Sequence, residues 1–203
     1  MGRTVIGAVL AGGRSSRMGT DKAGLVIPAT LGPTTQLPAG VVQAAGATLL
    51  QWTSAKLRRA GLSCIVVCGE PHGVADLIPH QGPLSALHSL CQRHPGAQVL
   101  VVPVDMPRLS NSVLRALVDA GANEQRPLHY EGFVLPLLLS LTPAMGAVLE
   151  HTLTTTGADR SLAGFLRRTG AQSVAAPVDR AEFTNVNTPE EWQAFVASFQ
   201  RAD

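Results

Sequence analysis

The run Thr4-Val5-Ile6-Gly7-Ala8-Val9-Leu10-Ala11 is apolar without alternation and breaks at Gly12-Gly13. A strand buried on one face alternates apolar with polar residues, whereas an unbroken run belongs to a strand covered on both. A chain that begins this way needs helices above and below a sheet. The rest of the pattern supplies them. Residues 48–60 read as a helix, with Leu49, Trp52, Ala55, Lys56 and Arg59 at helical spacing and Gly61 as the stop. Residues 63–68 read as a second buried strand, 84–94 as a helix after Gly82-Pro83, and 99–104 as a third buried strand. Ser110 is placed to cap a helix running to Ala120, with Leu109 packing on Leu114 as a hydrophobic staple.

The later half continues with helices over 144–153 and 161–168 and a strand over 172–176. Residues 128–139 read as extended, though Pro136 argues against a central strand there. Thr188-Pro189-Glu190-Glu191 is a helix start: a Thr cap, Pro at the first helical position, and Glu191 completing a capping box. Trp192, Phe195, Val196 and Phe199 supply that helix's apolar face. Strands alternating with helices predict an α/β fold, a Rossmann-like three-layer αβα sandwich whose mostly parallel twisted sheet carries helices on both faces. Ligands bind such sheets beyond the carboxyl ends of the strands. At 203 residues the expectation is one domain over 1–203, with an uncharged Pro/Gly-rich insert at about 27–47. That insert reads as a hairpin or surface loop, with a substrate lid as the alternative.

Composition excludes several classes. The chain is 45% hydrophobic and 15% charged, enough for a real core. A net charge of +2 creates no field that would draw nucleic acid or a membrane surface. Cys64, Cys68 and Cys91 make no disulfide framework, and no signal peptide, acylation site or membrane span can be read, so a cytoplasmic protein is expected. Of the sixteen basic residues only Lys22 and Lys56 are lysines, which makes both positions informative. His72, His80 and His88 match no metal-ligand spacing, and no arrangement suits acyl transfer.

The most chemical stretch is Gly12 to Lys22, after the first strand. Its glycines let backbone amides approach phosphate oxygens, and Arg14, Arg17 and Lys22 add three cations. That suits a polyphosphate, although a Gly-rich surface turn with solvated arginines has the same composition. Neither established template fits: Thr20, not Lys, follows Gly19, and the dinucleotide-binding glycine pattern is absent. Asp105 follows the third strand, where one carboxylate can hold Mg²⁺ between phosphates or simply cap a turn before Pro107.

Leu10-Ala11-Gly12-Gly13-x-Ser-x-Arg17-Met18-Gly19-x-Asp21-Lys22 resembles the signature loop of the nucleoside triphosphate transferases typified by molybdenum cofactor guanylyltransferase. Asp76 leading to Gly82-Pro83-Leu84, then Val104-Asp105-Met106-Pro107, Arg160-Ser161-Leu162 and Asn185-Val186-Asn187-Thr188-Pro189-Glu190 match that family in order along the whole chain. The resemblance implies a phosphate of molybdopterin attacking the α-phosphorus of GTP, with pyrophosphate leaving and Mg²⁺ as cofactor. It implies Arg17, Lys22 and Asp105 as catalytic residues, with Asp105 as the metal ligand. Leu10, Ala11, Gly12, Gly13, Lys22, Asp76, Gly82 and Asp105 would bind the nucleotide, and Arg160, Asn185 and Asn187 would serve the acceptor or phosphate side. Contact with cofactor maturation or recipient proteins is the partner expectation. Asp76 has a solvated-loop alternative, and Asn185 and Asn187 have a turn-forming one. Ala86 stands where the family usually has Gly, and Cys68 where guanylyl members often have Asn; both bear on base selectivity. A cytidylyltransferase acting on molybdopterin or another small phosphorylated acceptor, and a silent nucleotide-binding or delivery protein, are the alternatives.

Overall fold

The computed structural model describes residues 5–12, 18–27, 46–176 and 179–200. Gly13, Arg14, Arg17, most of the 27–47 insert and the Phe199 side chain lie outside the described residues. Six strands form one sheet: β1 (Val5–Leu10), β4 (Cys64–Cys68), β5 (Gln98–Pro103), β6 (Leu128–Tyr130), β7 (Leu137–Ser140) and β8 (Gln172–Val174), ordered β4-β1-β5-β7-β6-β8. A two-stranded ribbon joins β2 (Val26–Ile27) to β3 (Ala47–Thr48) at the ends of the insert. β1 runs parallel to β4 and β5, and β6 runs parallel to β8. β7 alone is reversed, antiparallel to β5 and β6.

The helices are α1 (Leu49–Arg59), α2 (Pro83–Arg93), α3 (Asn111–Ala120), α4 (Pro143–Thr154), α5 (Leu162–Arg168) and α6 (Pro189–Gln200). The chain steps outward from β1 to β4 through α1, then back across to β5 through α2. Right-handed crossovers in opposite directions put those helices on opposite faces, which closes the sandwich. α1 packs on β1 and β4 and against α3, and α2 packs against α4. Thr48, Ser110, Thr142 and Ser161 each accept a backbone N–H as the cap of α1, α3, α4 and α5. Among the described residues no helix is long and apolar enough to cross a membrane.

Two strand expectations are corrected. β4 is not buried on both faces: it is the sheet edge, so Cys64 is exposed and only Cys68 is buried. The 128–139 segment is two strands joined by a turn, and its second half, β7, is central and fully buried. Pro136 is tolerated because the ladder starts one residue later, where Leu137 pairs with Val101, so the missing N–H falls outside it.

Candidate active site

The parallel ladder brings the ends of β1 and β5 side by side, with the Val104 N–H donating to the Leu10 carbonyl at 3.1 Å. Leu10, Ala11 and Gly12 therefore leave the sheet beside Asp105. Ala11 and Gly12 both donate to the Cys68 carbonyl, at 2.9 and 3.1 Å, which folds the start of the first loop over the end of β4. This close approach requires glycine on both sides. A Cβ on Gly12 would stand 3.0 Å from the Gly69 Cα, and one on Gly69, whose φ is +103°, would stand 2.4 Å from the Gly12 Cα.

The first loop ends in a short 3₁₀ turn, Lys22–Gly24, capped by Asp21, which accepts from the Ala23 N–H. The turn aims Lys22 back at the sheet. Its Nζ donates to Asp105 Oδ2 at 2.9 Å and to Asn187 Oδ1 at 2.7 Å. Asp105 Oδ1 accepts from Asn185 Nδ2 at 3.0 Å, and the Asp105 carbonyl accepts from the Val186 N–H at 2.8 Å. Four residues from three distant segments thus meet in one cluster. Phe183 and Val186 are buried and seat the last loop in the core. Glu191 of α6 fixes its exit, with Oε2 accepting the N–H of both Asn187 and Thr188.

Asp76 and Gly82 lie on the connection between β4 and α2. Asp76 Oδ1 is buried with no hydrogen-bond partner among the described residues. Burial holds its carboxyl above the usual range, with Glu70 adding to the shift and His80 opposing it. Cys68 beside it is pushed to about 12, by burial first and Asp76 second. Arg160 sits across from this loop and donates to Gln81 Oε1 at 2.6 Å and to the Thr155 carbonyl at 3.2 Å. The geometry therefore brings Lys22, Asp105, Asn185 and Asn187 into one cluster and ties Arg160 to Gln81, next to Gly82, while Asp76 lies earlier on the same connection.

Several members carry no sequence signal. Gly69 is found only through its contact with Gly12, and Gln81 only through Arg160. His72 meets Asp21 through a hydrogen bond from a turn far away in sequence. Among the described residues no group of three or more His, Cys, Asp or Glu could hold a metal. Mg²⁺ does not need one, because it binds through one or two carboxylates together with substrate phosphates and water. Each Asp105 oxygen accepts one hydrogen bond here and keeps a further lone pair, so the donor set fits a hard cation shared with phosphate.

Residues 7–176 match the model of the MobA-like NTP transferase domain. The molybdenum cofactor guanylyltransferase of Xanthomonas euvesicatoria pv. vesicatoria is 36% identical over 195 residues, spanning 94% of this chain and 93% of that one. The enzyme of the same description from Rhizobium meliloti is 31% identical, spanning 90% of this chain and 86% of its own. The crystal structure of molybdopterin-guanine dinucleotide biosynthesis protein A from Archaeoglobus fulgidus superposes with a TM-score of 0.70 at 19% identity, covering 97% of this chain and 99% of that one. At that identity the superposition carries the fold.

Proposed function

The chain belongs to the MobA-like NTP transferase family, and from that premise we propose that it transfers GMP from GTP to the phosphate of molybdopterin. The product is the guanine dinucleotide form of the cofactor, and pyrophosphate is released. The whole of 1–203 acts as one nucleotidyltransferase domain in this reading, in the cytoplasm, with the product passed on through contact with maturation or recipient proteins. The observation that carries it is the convergence of Lys22, Asp105, Asn185 and Asn187 beyond the carboxyl ends of β1 and β5.

Transfer forms a bond between an acceptor phosphate oxygen and the α-phosphorus and breaks the bond from that phosphorus to the bridging oxygen of pyrophosphate. The acceptor oxygen is already ionised, so the protein's work is alignment and charge stabilisation rather than proton removal. Lys22 spends two of its three N–H donors on Asp105 and Asn187, and the third serves a phosphate oxygen. The missing side chains of Gly12 and Gly13 leave room for the triphosphate to approach the first loop, and Arg17 adds a second cation. Asp105 would hold Mg²⁺, which when bound neutralises charge on the triphosphate. Asn185 orients the Asp105 carboxylate, and Asn187 orients the Lys22 amine. The orphaned Asp76 oxygen suits the N–H edge of guanine, which offers two donors side by side. Arg160 would meet the acceptor.

The test is a thermal-shift titration with Mg²⁺ and each of GTP, CTP, ATP and UTP, followed by turnover with molybdopterin. Saturation at about 100 times the dissociation constant adds roughly 2.7 kcal/mol, so GTP alone should raise the melting temperature by several degrees. A CTP preference would move the assignment to cytidylyl transfer, with Cys68 and Ala86 as its cause. Binding without turnover would leave a delivery protein.

A further inference from the structure

Lys56 is the second of the two lysines, and the site described above does not use it. It lies in the last turns of α1, its side chain only partly exposed, and its Nζ donates to the carbonyl of Pro107. Trp52, one turn earlier, donates its indole N–H to the same oxygen at 3.1 Å, and the Lys56 amine stands 5.2 Å from the centre of the Trp52 ring. One helix thus sends two donors to one carbonyl, two residues beyond Asp105.

That carbonyl belongs to a turn tied down at every peptide. Val104 donates to Leu10, the Asp105 carbonyl accepts from Val186, the Met106 carbonyl accepts from Leu109, and the Pro107 carbonyl takes the two donors of α1. Lys56 is the one charged group among these ties. Its setting disfavours the charge: desolvation lowers the amine from an ordinary 10.5 to about 7, Glu182 works against the shift, and Arg108 and Arg59 add to it. A polar group held where its charge is disfavoured has to be accounted for, since Trp52 alone satisfies the carbonyl. A neutral amine still donates, so the tie survives loss of the proton.

We propose that Lys56 is a positioning residue for the transfer reaction, holding the Asp105-Met106-Pro107 turn so that the Asp105 carboxylate faces the metal and the triphosphate. This rests on the metal role assigned to Asp105 above.

The test compares the full-length wild type with Lys56→Met, which keeps the stem and removes the amine, and with Trp52→Phe and the double variant. The readouts are melting temperature, Mn²⁺ affinity by water-proton relaxation with GTP present, and kcat and KM for GTP. Lys56→Met is expected to keep or raise the melting temperature and hold KM for GTP within about twofold. It should also weaken Mn²⁺ and lower kcat by roughly tenfold, the scale of a small misplacement of a reacting group. Trp52→Phe should do the same more weakly, and the double variant should lose more than the sum, because the second donor no longer compensates. Unchanged Mn²⁺ affinity and kcat in Lys56→Met would overturn the proposal, and so would a loss of both that merely tracks a lowered melting temperature. A wild type that transfers no nucleotide would sink the guanylyl reading alone, because the Mn²⁺ comparison still decides the role of Lys56. A wild type that binds no Mn²⁺ with GTP would overturn it.

Discussion

Asp105 accepts from Asn185 with one oxygen and from Lys22 with the other, at side-chain exposures of 17% for Asp105 and 14% for Lys22. At that depth the contact is worth more than a surface ion pair, yet its main use is geometric. Asp105→Asn preserves the shape and removes the charge. Turnover should fall by roughly 10²–10³-fold, the scale of losing one stabilising group in the transition state, while the melting temperature moves by only a few degrees. Near-normal Mg²⁺-dependent turnover would remove Asp105 from the metal role. Lys22→Ala should instead act on GTP affinity, since it deletes a phosphate donor; an unchanged dissociation constant would contradict the assignment. Lys56 makes a prediction about pH. Its folded-state value of about 7 lies below the 10.5 of the unfolded chain, so between those values the unfolded chain holds more protons and stability rises with pH. The cost is fully present below pH 7 and fades as the pH rises toward 10.5. The gain in melting temperature of Lys56→Met over wild type should therefore be larger at pH 6 than at pH 10.

Elements hold the site through their ends. The capping box of α6 is also the anchor of Asn187, because one Glu191 oxygen serves two successive N–H groups, at 2.6 and 3.1 Å. Thr188→Ala should cost about 1 kcal/mol of stability with little change in GTP binding. Glu191→Ala should cost a similar amount and also raise the KM for GTP, and equal kinetics in the two variants would contradict the anchoring of Asn187 by Glu191. Gly69→Ala meets backbone rather than a flexible side chain, so it should destabilise by at least about 2 kcal/mol and displace the start of the first loop, visible as a lowered melting temperature. These cases mark what was legible in the sequence. The caps at Ser110 and Thr188 could be read because they are local, and β1 and β5 because burial on both faces leaves an unbroken apolar run. The edge position of β4 and the reversal of β7 could not, since neither strand order nor direction is written in a strand's own residues. For the same reason Lys22, Asp105, Asn185 and Asn187 were legible as motifs, whereas the pairings of Gly69, His72, Gln81 and Lys56 depend on which loops the fold brings together.

At the scale of the whole molecule, the site is spread across nearly the full chain. Lys22 reaches Asp105 across 83 residues and Asn187 across 165. Contacts of that span form late and slowly, so the site completes only when the loop before α6 docks. Mg²⁺ and GTP together should then slow amide hydrogen exchange at Val186, whose N–H is held by the Asp105 carbonyl, more than at β8 on the far edge; uniform protection would argue against a site completed by that loop. The reversed strand has a different consequence, which concerns synthesis. β4, β1 and β5 are all present once residue 103 has been made, but the neighbour that covers β5 is β7, which does not exist until residue 140. During that interval the emerging polypeptide displays an open edge of six residues that are all buried in the finished protein. An edge of that kind templates pairing with another chain. A polypeptide that terminates near residue 126 is therefore a seed for aggregation rather than half an enzyme, and translation speed between residues 103 and 140 becomes a determinant of yield.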